Sequence, residues 1–112
     1  RDVVETMRAE SGRRLSGMRV DGGAAANDFL MQFQADMLGT SVDRPKVVET
    51  TALGAALLAG RGVGIWKGSS QLEAARRADR VFKPRMKADR REELYQGWQR
   101  SVRAVRSLSS GV

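Results

Sequence analysis

Few side chains in this sequence are equipped for chemistry. The 112 residues include no histidine and no cysteine, which removes the usual general base, the commonest metal ligand and any thiol nucleophile. What remains is a joint: Arg19-Val20-Asp21-Gly22-Gly23, then three alanines and Asn27. Apolar and polar residues alternate up to the glycines, and helical spacing takes over beyond them, so a strand runs into a helix. Gly23 carries no Cβ, and a ligand ring or sugar could lie against its bare backbone. Amides at a helix start are unpaired donors that favour polar or anionic groups. Asn27 is expected one turn up on the same side, where its amide offers a donor and an acceptor to an adenine edge or a ribose. The competing reading is a tight strand-to-helix turn with Asn27 as a surface residue, and spacing alone leaves both open. Asp21 reads as a strand-end residue, and no catalytic residue and no metal ligand is assigned.

Periodicity predicts the strands and helices around this joint. "LSGMRVDGG" predicts a short strand with Met18 and Val20 on its apolar face. A helix is expected from Ala24 to Leu38, with Ala26, Phe29, Leu30, Phe33 and Met37 as its apolar stripe and Gly39 as its left-handed stop. "TSVDRP" predicts a brief extended segment closed by Pro45. Thr50 or Thr51 is expected to cap a helix to about Ala59, whose small residues predict a buried packing helix. "GRGVG" follows a helix and lacks the Lys-Ser/Thr ending of a phosphate loop, so it reads as a helix terminus and turn.

Ser70 and Glu73 form a capping box for a short helix to about Ala78. "DRVFKP" is extended, with Val81 and Phe82 packing beneath it. Asp89 and Glu92 open a last helix with Leu94, Trp98, Val102, Val105 and Leu108 on one stripe, and Arg100, Arg103 and Arg106 off it. At the start, "RDVVETMRAESG" is helical from its first residue, with Gly12 as its stop. The chain is therefore expected to be cut from something longer. Alternating helices and strands predict an α/β fold.

The net charge is +7, from sixteen arginines and four lysines against thirteen acids. A basic balance raises nucleic acid as a partner, but the arginines are interleaved with Asp and Glu and form no run longer than two. That interleaving makes nucleic-acid binding the weaker reading of the charge, and a basic nucleic-acid binder stays open as an alternative. No apolar run reaches the roughly 20 residues of a membrane span, so a soluble, cytoplasmic protein is expected.

Two long stretches carry a resemblance. "RVDGGAAANDFLMQFQADMLGTSVDRP" and "ETTALGAALLAG" resemble the C-terminal part of the glycerol kinases of the FGGY carbohydrate-kinase family, and "VFKP" and "YQGWQRSV" resemble that family's tail. The resemblance covers essentially the whole chain and implies a C-terminal piece, residues 1–112, of an actin/hexokinase/Hsp70-like (ribonuclease H-like) ATPase domain. It further implies ATP and ADP as ligands, with Gly23 and Asn27 at the positions that bind the adenine nucleotide. Glycerol would be the second substrate of the complete enzyme. Mg²⁺ ligands, phosphate loops and the catalytic aspartate would lie upstream, in the remainder of the kinase chain, so Asp21, Asp28, Asp36 and Asp43 are not carried over as any of them. The segment alone is expected to be inactive. Its unpaired sheet edge and apolar faces predict marginal stability or self-association into a homo-oligomer. Another FGGY sugar kinase, or a degenerate stand-alone nucleotide-binding or interaction module, stays open beside this reading.

Overall fold

A computed structural model describes residues 1–68, 70, 71, 73 and 78–109. Helix α1 spans Asp2–Ser11 and ends at Gly12, whose φ of 65° is left-handed, as expected. Strand β1, Met18–Arg19, leads into a 3-10 turn, Gly23–Ala26, and then α2, Asp28–Leu38, which Gly39 terminates at φ 66°. Strand β2 is Val42–Pro45, α3 is Thr50–Gly62, β3 is Ala78–Phe82 and α4 is Ala88–Ser109.

The three strands form one sheet in the order β1-β2-β3. Strand β1 runs parallel to β2 with Met18 opposite Val42, and β3 runs antiparallel to β2 with Phe82 opposite Val42. Thus β1, α2 and β2 make a βαβ crossover, the connection parallel strands require. The segment ending in Pro45 is the middle strand of the sheet. Proline is tolerated there because it is the last residue of β2, at an irregularity in the pairing between Arg44 and Pro45.

The core is Ala25, Met31, Ala35, Val42 and Phe82, with Met18, Val20, Leu30 and Val48 packed around it. Met18 and Val20 point inward as their alternation predicts. On α2 the predicted stripe is corrected. Met31 and Ala35 face the sheet, whereas Phe29 is 79% exposed and stacks on Phe33 along the outer side. The helix carries two apolar faces, and periodicity could not tell which one the sheet takes. On β3, Phe82 is buried and Val81 is exposed.

Helix α3 departs further from expectation. Neither Thr50 nor Thr51 caps it, for Glu49 holds the cap position without a side-chain bond. Its small residues do not make it a buried packing helix: Ala52, Ala55, Ala56 and Ala59 are exposed, and only Gly60 is buried, where a Cβ would come within 2.6 Å of Trp66 Nε1. "GRGVG" is a helix terminus and turn, with Gly64 at φ 81°. The helix expected from Ser70 to about Ala78 falls largely outside the described residues, although Ser70, Gln71 and Glu73 are helical and Ala78 already belongs to β3.

Helix α4 forms as predicted, but Trp98, Val105 and Leu108 on its stripe are 55%, 63% and 78% exposed. The radius of gyration is 18.3 Å, against about 13 Å for a compact domain of this length. The chain leaves much of its apolar surface uncovered.

Candidate functional site

The Gly22–Gly23 joint lies at the carboxyl end of β1, where open α/β sheets bind ligands in the crevice beyond the strand tips. Strand pairing carries on past β1 itself: the Val20 amide donates to Asp43 O at 3.1 Å and the Gly22 amide to Val48 O at 2.7 Å. Gly22 then adopts φ 83° and ψ 166°, a conformation that only glycine reaches cheaply. Gly22 is thus accounted for by its backbone alone. Gly23 has no such constraint. It is exposed, and a Cβ built on it would meet nothing within 4 Å. The bare backbone expected at Gly23 faces open space.

Asn27 is placed differently from its expected position. The residues after Gly23 form one 3-10 turn, closed by the Ala25 amide on Gly22 O and the Asn27 amide on Ala24 O, and α2 begins only at Asp28. Asn27 is the cap of α2, not a residue one turn inside it. Its Oδ1 accepts from the Leu30 amide at 3.1 Å, which satisfies one of the orphan donors of the helix start. The side chain stays exposed, and its amide nitrogen takes no part in that cap. Structure brings Gly23 and Asn27 to the two ends of a single turn.

A residue that sequence reasoning did not single out holds that turn. Arg44 of β2 reaches across and donates to Ala25 O at 3.1 Å, Ala26 O at 3.3 Å and Asp28 Oδ1 at 2.6 Å. Its other edge donates to Asp79 Oδ2 of β3 at 2.9 and 2.7 Å. Asp28 also accepts from Arg80 at 2.6 Å. The hydrogen bond from Arg44 holds the Asp28 carboxyl below its ordinary range, with the charges of Arg44 and Arg80 adding to the effect. Both guanidinium groups stand over the Phe82 ring, at 5.2 and 4.6 Å. No local pattern marks this cluster, since its hydrogen-bonded partners lie 16 to 52 residues apart and meet only through the sheet order. Asp21, the strand-end acid, accepts from the Thr50 hydroxyl and so ties the joint to the start of α3.

An apolar concavity lies elsewhere. Between α2 and α4, a cavity of about 280 Å³ is lined by Phe33, Met37, Leu94, Tyr95 and Trp98 among others, and it shares no residue with the turn. Among the described residues, no three His, Cys, Asp or Glu side chains are grouped to hold a metal ion. No described helix is long and apolar enough to cross a membrane.

Residues 1–63, which contain the turn, match the C-terminal domain of the FGGY family of carbohydrate kinases. The chain belongs to the FGGY family. A relative named glycerol kinase from Pseudothermotoga lettingae is 61% identical over 108 residues, covering 96% of this chain and 21% of the relative. The crystal structure of Plasmodium falciparum glycerol kinase with ADP superposes with a TM-score of 0.76 at 34% identity, over 91% of this chain and 21% of that one. The ligand-bound xylulose kinase of Lactobacillus acidophilus has a TM-score of 0.65 at 21% identity, over 86% and 19%, and shares the fold. This FGGY chain therefore has the α/β architecture of the C-terminal portion of an actin/hexokinase-like ATPase domain, as the resemblance implied. It spans about a fifth of the length of the relatives it matches.

Proposed function

We propose that this chain is the adenine-nucleotide-binding part of a glycerol kinase, an enzyme that transfers a phosphoryl group from ATP to glycerol and releases sn-glycerol 3-phosphate and ADP. In this reading Gly23 is the open backbone against which the adenosine lies. Asn27 contributes its amide nitrogen as the polar contact while its oxygen caps α2. The observation that carries the reading is the empty space over Gly23 at a strand tip, in a segment similar to a glycerol kinase solved with ADP.

The division of labour follows from the residues present. Phosphoryl transfer rests on positioning and on charge stabilisation around the phosphates. This segment holds the far end of the nucleotide and supplies neither catalytic acid nor phosphate loop. Mg²⁺ is expected with the complete enzyme, and no step is assigned to the ion here. Its ligands, like the glycerol site, would belong to the remainder of the kinase.

Steady-state kinetics on the full-length kinase that carries this segment test the reading. Gly23→Val places a branched side chain in the nucleotide's space. KM for ATP should rise at least about tenfold, KM for glycerol should hold within about twofold, and kcat at saturating ATP should fall little, as for an interaction made equally in ground and transition states. An unchanged KM for ATP would leave the glycine pair as a mere turn.

A further inference from the structure

We propose that Arg44 is the positioning residue of this site, clamping the 3-10 turn between Gly23 and Asn27 in the geometry that receives the nucleotide. The proposal rests on the nucleotide reading above and deepens it.

The turn is a short piece of backbone, of which Ala25 alone is buried in the core. It spans only Gly23–Ala26 and is closed by the Ala25 amide on Gly22 O and the Asn27 amide on Ala24 O. A 3-10 turn this short has poor internal hydrogen bonding, and glycine next to it adds conformational freedom. Something outside it must hold it to a fraction of an ångström if a ligand is to read its backbone. Arg44 is that tether. Its side chain is only 11% exposed, it bonds the carbonyls of Ala25 and Ala26 directly, and it grips Asp28, the residue next to Asn27. The opposite edge of the guanidinium is anchored on Asp79 of the neighbouring strand. A planar fork with five donors can serve both sides at once, which a lysine ammonium cannot.

The test uses the full-length kinase with Arg44→Gln, Arg44→Lys and Asp79→Asn, alongside Gly23→Val. Each variant is characterised by KM for ATP, KM for glycerol, kcat and thermal midpoint. If Arg44 positions the turn, Arg44→Gln raises KM for ATP roughly three- to thirtyfold, with KM for glycerol and saturated kcat within about twofold. Arg44→Lys recovers part of that loss, and Asp79→Asn shifts KM for ATP in the same direction by less. A purely structural Arg44 would lower the thermal midpoint and leave KM for ATP unchanged, and that result overturns the proposal. Should Arg44→Gln fail to fold, Arg44→Lys and Asp79→Asn are judged by the same criterion. If Gly23→Val raises KM for ATP while no Arg44 or Asp79 variant does, the positioning role is wrong and the nucleotide reading stands. If none of the four moves it, the nucleotide reading itself has failed.

Discussion

The amide of Leu30 donates to Oδ1 of Asn27 across 3.1 Å, so the side chain proposed to face the nucleotide also caps the helix behind it. The two roles use different atoms and can be separated. Asn27→Ser keeps a capping oxygen and loses the amide donor. It should leave the thermal midpoint of the full-length kinase nearly unchanged while raising KM for ATP about three- to tenfold. Asn27→Ala removes both and should also cost about 1 kcal/mol of stability. Melting curves and kinetics on the same two preparations check this.

Asp36 predicts a pH dependence. It is buried in α2, and its Oδ1 accepts from the Arg85 and Met86 amides at 2.6 and 3.1 Å and from Gln32 at 3.2 Å. Burial pushes its carboxyl up, but the hydrogen bonds together outweigh that, and the group ends below its ordinary 3.8. A depressed folded value means stability that is fully present above the unfolded value and lost as pH falls through the folded one. Asp36→Asn should cost about 1 kcal/mol near neutrality, since neutral hydrogen bonds are weaker than charge-assisted ones. It should also flatten the acid side of the stability profile below about pH 4. Thermal melts across that range, with and without the substitution, provide the measurement.

How much of this was legible beforehand depends on whether the determining contact was local. Gly12 and Gly39 as helix stops, and the alternation of Met18 and Val20, are read from neighbours a few residues away, and each appears where expected. The start of α2 was misplaced by four residues because the alanines after Gly23 fit a 3-10 turn as well as a helix, and an Asn before an Asp is itself a capping signal. Which face of α2 meets the sheet was not legible, since Phe29 and Phe33 are as apolar as Met31 and Ala35. Nor was the exposure of α3, whose small residues say how closely a neighbour could approach but not that one is there. The Arg44 clamp required the strand order. Gly23 was singled out from type and spacing, and the structure adds that the space beside it is open.

Gly39 offers a stability test independent of the site. Its φ is +66°, and a Cβ there would lie 2.5 Å from Nη1 of Arg91. Gly39→Ala should therefore lower stability by about 1–2 kcal/mol through the left-handed backbone, with the flexible arginine end moving aside. Chemical denaturation should show this with KM for ATP unaltered.

The isolated 112-residue chain should behave as an incomplete fold. Trp98, Val105 and Leu108 along α4, and Phe29 on α2, present apolar surface to solvent, and large exposed apolar side chains favour association. Sedimentation should show concentration-dependent self-association, and a coupled assay should detect no glycerol phosphate above a buffer blank. A stable monomer with a sharp, concentration-independent melt would contradict the first expectation, and turnover by the pure chain would contradict the second.

Calorimetric titration of ADP into the full-length kinase and its Gly23→Val variant tests whether the Gly22–Gly23 joint receives the adenine nucleotide. No chemistry intervenes in that measurement, so a change reports binding alone. Kd for ADP should rise at least about tenfold, a loss of about 1.4 kcal/mol or more, while Kd for glycerol, measured on the same samples, stays within about twofold. Equal affinity of the two proteins for ADP would contradict the nucleotide reading.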